Sequence, residues 1–185
     1  WECDKLTPEG ADAVFDGYIG KYEKEAVHGL LNGLLLDSWE CKTQTWHRGM
    51  EEAFREYAGY DLRPWIPALF GYVVEDQRQT AKFLRDWRGL INRELVENFY
   101  GRMAARAHGR GLTVQYETSG GDVYPCDPME YFKYADVPMA EFWHHFNSES
   151  SVGSINFKPV RPTASAGHIY GKTRISAEAF TSFWL

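Results

Sequence analysis

Four glutamates stand at the ends of hydrophobic runs: Glu40 in LLLDSWE, Glu117 in LTVQYE, Glu141 in DVPMAEFW and Glu178 in RISAEAF. Each run reads as a β-strand, so each carboxyl group is placed at a strand tip. Trp39, Trp46, Trp143 and Trp184 stand beside these glutamates or just after them. Carboxyl groups in pairs transfer protons, one donating to a leaving oxygen while the other activates water. Aromatic faces stack on sugar rings. Carboxylates and indoles gathered at the ends of parallel strands therefore point to cleavage of glycosidic bonds.

The local chemistry suggests a division of labour. Trp39 flanks Glu40, and an apolar neighbour favours the protonated form that a general acid needs. Glu141 precedes Phe142-Trp143-His144-His145, whose imidazoles favour an ionised base. The expected catalytic pair is Glu40 as acid and Glu141 as base, with the reverse order open. Asp37, Trp39, Glu117, Trp143, His144 and Glu178 are the expected sugar contacts. Asp37, Glu117, Asp136 and Glu178 could supply the hard oxygens that calcium takes, although they form no local binding loop. Each assignment has a plainer counterpart. A strand-end glutamate often caps a helix or pairs with an arginine, and adjacent exposed histidines are often inert. His168, among small residues in SAGHIYG, suits packing. Ser38 lacks a nucleophile elbow, and the glycines of SGGD lack the strand–loop–helix context of a phosphate cradle.

Elements must position these groups. Thr7-Pro8-Glu9 opens a helix, with Thr7 as N-cap, and His28-Gly29 closes it. Leu30 to Leu36 suits a strand buried on both faces. A helix is expected from about Thr45 to Ala58, with Gly59 beyond its end. Turns around Pro64 and Pro67 follow. A long helix from about Asp76 to His108 bears the stripe Leu84, Trp87, Ile91, Leu95, Phe99, Met103, Ala107. LTVQYE, a short strand ending at Glu141, a helix within Lys158 to Tyr170, and RISAEAF complete the order. Strands alternating with helices predict an α/β fold of parallel βαβ units. About four strands with flanking helices make a partial TIM-type (β/α) barrel.

A full barrel of this type takes about 250 residues, and the chain has 185. Residues 1–185 are therefore expected to form a single domain that is a fragment of a larger (β/α)8 catalytic domain. The formal net charge of −6 argues against nucleic acid as partner. Arg85, Arg88 and Arg93 fall within the long helix, where a solvated face is the expected role. No apolar run approaches the roughly 20 residues of a membrane span. Cys3, Cys41 and Cys126 form neither a zinc pattern nor a disulfide framework.

The blocks WECDKL, GLLLDSWE, GYDLRPWIPALFG, FLRDWR, ADVPMAEFW and ASAGHIYGKTRISAEAFTS, in this order along nearly the whole chain, resemble the catalytic barrel of family 106 glycoside hydrolases, the α-L-rhamnosidases. The resemblance implies a secreted or periplasmic bacterial enzyme that removes terminal L-rhamnose from plant or algal glycans. It implies inversion of configuration, two catalytic glutamates and a calcium ion at the sugar. Thr118 stands where such enzymes often have proline, and the stretch SGGDVYPCDPMEYFKY is individual; both bear on the substrate rather than the chemistry. Two other readings remain: a non-catalytic carbohydrate-binding fragment or degenerate relative, and a retaining hydrolase. Inversion sets the carboxyl groups roughly 6.5–9.5 Å apart and retention about 5–5.5 Å.

Overall fold

The first helix, α1 (Pro8–Gly17), is set by its start. Thr7 is extended and its side chain accepts the Gly10 N–H, while Pro8 occupies the first turn. Gly10 is required there, because a Cβ would lie 1.7 Å from the Asp4 carbonyl oxygen. The helix is shorter than its pattern predicts: it stops at Gly17 and a 3-10 turn, Ile19–Tyr22, follows. The computed structural model describes residues 2–22, 24, 28–41, 43–118, 126–143 and 160–181, the side chains of Trp143 and Thr181 excepted.

Strand β1 (Gly33–Leu36) is also shorter than the apolar run that predicts it, and Leu30 is exposed. Gly33 lets β1 approach β2 closely, since a Cβ would lie 2.7 Å from Thr113 Oγ1. Helix α2 (Met50–Ala58) begins five residues later than expected, after a loop in which His47 Nδ1 accepts the Gly49 N–H. Gly59 ends α2 in the left-handed region at φ 80°. A 3-10 turn (Arg63–Trp65) and the short α3 (Ile66–Leu69) follow.

Asp76 caps the long helix by accepting the Gln79 N–H at 2.8 Å. That helix runs without a break as α4 (Gln77–Glu94), a π-helical segment (Leu95–Gly101) and α5 (Arg102–His108). Gly111, at φ 72°, turns the chain into β2 (Thr113–Glu117). The remaining elements are α6 (Pro128–Tyr131), β3 (Val137–Trp143), α7 (Val160–Ile169) and β4 (Ser176–Thr181).

The strands form one parallel sheet in the order β1-β2-β3-β4, curled into a half-barrel with helices outside. Register pairs Leu36 with Tyr116, Glu117 with Met139, and Glu141 with Glu178. Side chains alternate between faces along a strand. Val114 and Tyr116 join the core beneath the helices. Tyr116 donates its hydroxyl to the Tyr100 carbonyl at 2.6 Å and packs edge-on against the Tyr100 ring. The opposite, concave face receives Leu35, Gln115, Glu117, Met139, Glu141, Ser176 and Glu178. Leu35 on this face is 53% exposed, so no helix among the described residues covers it.

The long helix runs antiparallel to β2, because its C-terminal end feeds β2 directly. At 1.5 Å per residue it is roughly 45 Å long, against roughly 17 Å for β2. Tyr100 fixes the level of the strand tips on it, so α4 rises well above the sheet. Phe54, Tyr60, Trp65, Phe83 and Trp87 pack around α4 with ring centroids 5.1–6.4 Å apart. Together they make a rigid arm beside the end of the sheet where Glu117 emerges. Among the described residues no helix is long and apolar enough to cross a membrane.

Candidate functional site

The concave face ends in acids. Glu117 is the last residue of β2, and Asp37 follows β1 directly, one position beyond the Leu36–Tyr116 pair. Asp37, Glu117 and Glu178 each bring a carboxylate oxygen within 4.8 Å of the others. Glu141 lies directly across from Glu178 in the β3–β4 register. Glu141 and Glu178 sit within strands that continue past them, rather than at the tips the sequence suggests.

Glu117 is the constrained member. It is 2% exposed, and among the described residues no donor reaches either carboxyl oxygen. Burial, the neighbouring carboxyl of Asp37 and the charges of Glu178 and Glu141 push its pKa from 4.5 up to about 9. A proton on Glu117 can be shared with Asp37, and that sharing, with the Ser38 N–H at 2.9 Å, holds the Asp37 carboxyl below its ordinary range. Both Glu117 carboxyl oxygens are thus buried without a hydrogen-bond partner among the described residues, next to the carboxylates of Asp37 and Glu178. Buried polar atoms nearly always have partners. Two orphaned Glu117 oxygens beside two further carboxylates call for a proton or a cation. Three carboxylates supply hard oxygens of the kind calcium takes, up to six if each binds through both oxygens, so the residues present fit such an ion.

Glu40 stands apart from this group. It is exposed, and the Ser38 hydroxyl donates to it at 2.9 Å. It lines a cleft of about 330 Å³ with Lys5, Asp37, Ser38, Trp39 and Phe99. Trp39 is 7% exposed and packs into the core while lining the same cleft, and Glu40 beside it is exposed. The Lys5 ammonium lies 5.0 Å from the Trp39 ring and pairs with Glu2. Lys5 went unnoticed in the sequence. Its segment reaches the cleft through long-range bonds from Gln44 to Lys5 and Cys3 and from Asn98 to Leu6, and no local pattern announces these.

Asp136 is not brought to the acids. It lies just before β3, at the opposite end of the sheet, where it accepts the Val114 N–H at 2.7 Å and bonds His108 Nε2 at 2.9 Å. Its role is to join β2, β3 and the end of α5. His144 and the side chain of Trp143 lie outside the described residues. His168 is exposed on α7, not packed. His47 bonds Glu94 at 3.2 Å, a buried pair that ties the loop after β1 to α4; burial raises the Glu94 carboxyl above its ordinary range.

Comparison with known proteins agrees with this geometry. The α-L-rhamnosidase family model matches residues 1–184. A solved rhamnosidase from Novosphingobium sp. PP1Y superposes with a TM-score of 0.82 and 33% identity, over 97% of this chain and 17% of that one. A protein of Formosa agariphila, provisionally named a β-glucuronidase, is 31% identical over 183 residues, covering 97% of this chain and 15% of its own length. The chain thus spans about one sixth of the length of these relatives. With four parallel strands, a carboxylate-lined concave face and a match over nearly its whole length, the chain belongs to the α-L-rhamnosidases of glycoside hydrolase family 106.

Proposed function

We propose that this chain contributes four strands to a larger (β/α)8 catalytic domain that hydrolyses terminal α-L-rhamnosides with inversion. The observation that carries the reading is the acidic floor formed by Asp37, Glu117 and Glu178, with Glu141 beside it, at the end of the sheet where barrel enzymes place their chemistry. Among the described residues β1 and β4 each have one neighbour, leaving edges to which further strands can pair.

Glu40 and Glu141 are the proposed proton-transfer pair. Glu141 is 8% exposed and recessed among acids. Its recessed place on the concave face, across the register from Glu178, suits a base that activates water from within the site. Glu40 stands on the solvent side, where a leaving group departs, which suits the acid; a bound sugar would exclude the water that now surrounds it. Asp37, Glu117 and Glu178 would hold calcium, which when bound supplies a positive charge and coordination sites that orient sugar hydroxyls.

The test is turnover of an aryl α-L-rhamnoside by the full-length protein, with the first-formed anomer followed by NMR. Glu40→Gln and Glu141→Gln should each lower kcat by about 10²–10⁴-fold, the usual worth of general acid or base catalysis. Wild-type turnover in either variant removes that residue from the pair, and a retained anomer removes the inverting mechanism.

A further inference from the structure

A second cleft, of about 370 Å³, opens on the wall of the arm, lined by Thr43, Thr45, Trp87, Arg88, Asn92 and Asp127 among others. Ligand sites begin at roughly this size. Its walls come from the loop after β1 and the segment after β2, both of which leave the carboxylate end of the sheet. Asn92 precedes Tyr100 by eight residues, so the cleft lies roughly 10 Å above the strand tips along the helix. A glycan whose terminal sugar occupied the acidic floor would pass this cleft with a more distant unit.

The lining combines an apolar floor with polar walls. Trp87 is 7% exposed and held by Phe54, Phe83 and Trp46, so the floor is apolar and rigid. Asn92 is fixed on both sides: its amide donates to Glu130 at 2.8 Å, and its oxygen accepts the Asp127 N–H at 2.6 Å. Thr43 and Thr45 are exposed and offer hydroxyls. Arg88 is exposed and, unlike Arg55, Arg63, Arg102 and Arg106, forms no ion pair among the described residues. Two acids lie near. Asp127 accepts the Met129 N–H at the start of α6, and Glu130 accepts the Asn92 amide. Both carboxylates are thus partly occupied, and the guanidinium is the charge left uncommitted.

We infer that this cleft is a subsite for an anionic sugar unit on the leaving-group side of the glycan, with Trp87 as its floor and Arg88 as the counter-charge. The inference rests on the hydrolase reading above and adds to it a substrate class: acidic glycans. A carboxylate or a sulfate ester would meet the guanidinium with the same bidentate geometry.

The experiment compares the full-length protein with Arg88→Gln on four substrates. One is an aryl α-L-rhamnoside, too short to reach the cleft. The others are rhamnosyl trisaccharides whose third unit is a uronate, its methyl ester, or a sulfated neutral sugar. Arg88→Gln should raise KM about tenfold for an anionic trisaccharide, one charge-assisted contact, with kcat held and the aryl rhamnoside and methyl ester unaffected. A larger effect with the uronate or with the sulfate identifies the anion. Equal treatment of acid and ester by the wild-type protein overturns the subsite, as does a uniform loss on all substrates. If the wild-type protein leaves the aryl rhamnoside intact, the hydrolase reading fails on its own. Calorimetric binding of the anionic trisaccharides, tighter to wild type than to Arg88→Gln or equal to it, then decides the subsite separately.

Discussion

Glu117→Gln tests what the acidic floor needs. In the folded chain the Glu117 carboxyl has its pKa raised from 4.5 to about 9. A carboxyl with a raised folded-state pKa costs nothing below its unfolded value. It then destabilises progressively as pH rises from there to the folded value, and the cost levels off above that. One pKa unit is worth about 1.4 kcal/mol, so between pH 5 and pH 7 wild type should lose about 3 kcal/mol that the glutamine variant keeps. The glutamine has its own penalty, a buried amide without partners, of about 1–3 kcal/mol. That penalty does not vary with pH, so the slope is diagnostic and the absolute stability is not. Native-state hydrogen exchange at the β2 amides in the full-length protein, in chelator, reads the local free energy without assuming that all domains unfold together. Added calcium should stabilise wild type, increasingly so at higher pH, and should stabilise the variant far less. Parallel pH profiles for the two proteins in chelator would refute the reasoning about burial and charge. Equal stabilisation by calcium would refute the assignment of Glu117 as a ligand.

Asp136→Ala should leave calcium affinity unchanged by calorimetry. It should lower stability by about 1–3 kcal/mol, because the Val114 N–H loses its acceptor. Phe83→Ala should cost about 3–5 kcal/mol, since Phe83 is fully buried among Phe54, Trp65 and Trp87; denaturation with α4 amide exchange as readout should show the arm loosening before the sheet.

The elements were legible where a physical signal is local. Thr7-Pro8, Asp76 and Gly59 mark helix ends through their own side chains or lack of one. The parallel sheet followed from strands alternating with helices. Strand lengths were less legible. Leu35 is apolar yet exposed, and Glu141 and Glu178 are polar yet inside strands, because one face of this sheet is a site rather than core. Asp37, Glu117 and Glu178 were named together from position alone, and the register brings them together. Asp136 was named for the same reason but precedes its strand instead of following it, a difference of one element boundary. That Trp39 packs into the core while Glu40 beside it is exposed shows only in the fold, because neither residue lies in a strand whose alternation could be read. Lys5, His47 and Asn92 act through partners about 40 or more residues away, which no local pattern reveals.

The π-helical segment has an angular consequence. It separates α4, which holds Trp87 and Arg88, from α5, which is anchored under β2 and to α1 through the Asp12 pairs with Arg102 and Arg106. Each residue in a helix adds about 100° of rotation. Refolding Leu95–Gly101 as α-helix with every residue kept would leave either half free to keep its own hydrogen bonds, but the extra residue that the wider π turn absorbs would then add its own rotation. The upper half would be turned by about 100° against the base. Its aromatic cluster could survive that turn, yet the face that now looks over the strand tips would look elsewhere. The segment thus works as a fixed joint whose setting aims the arm.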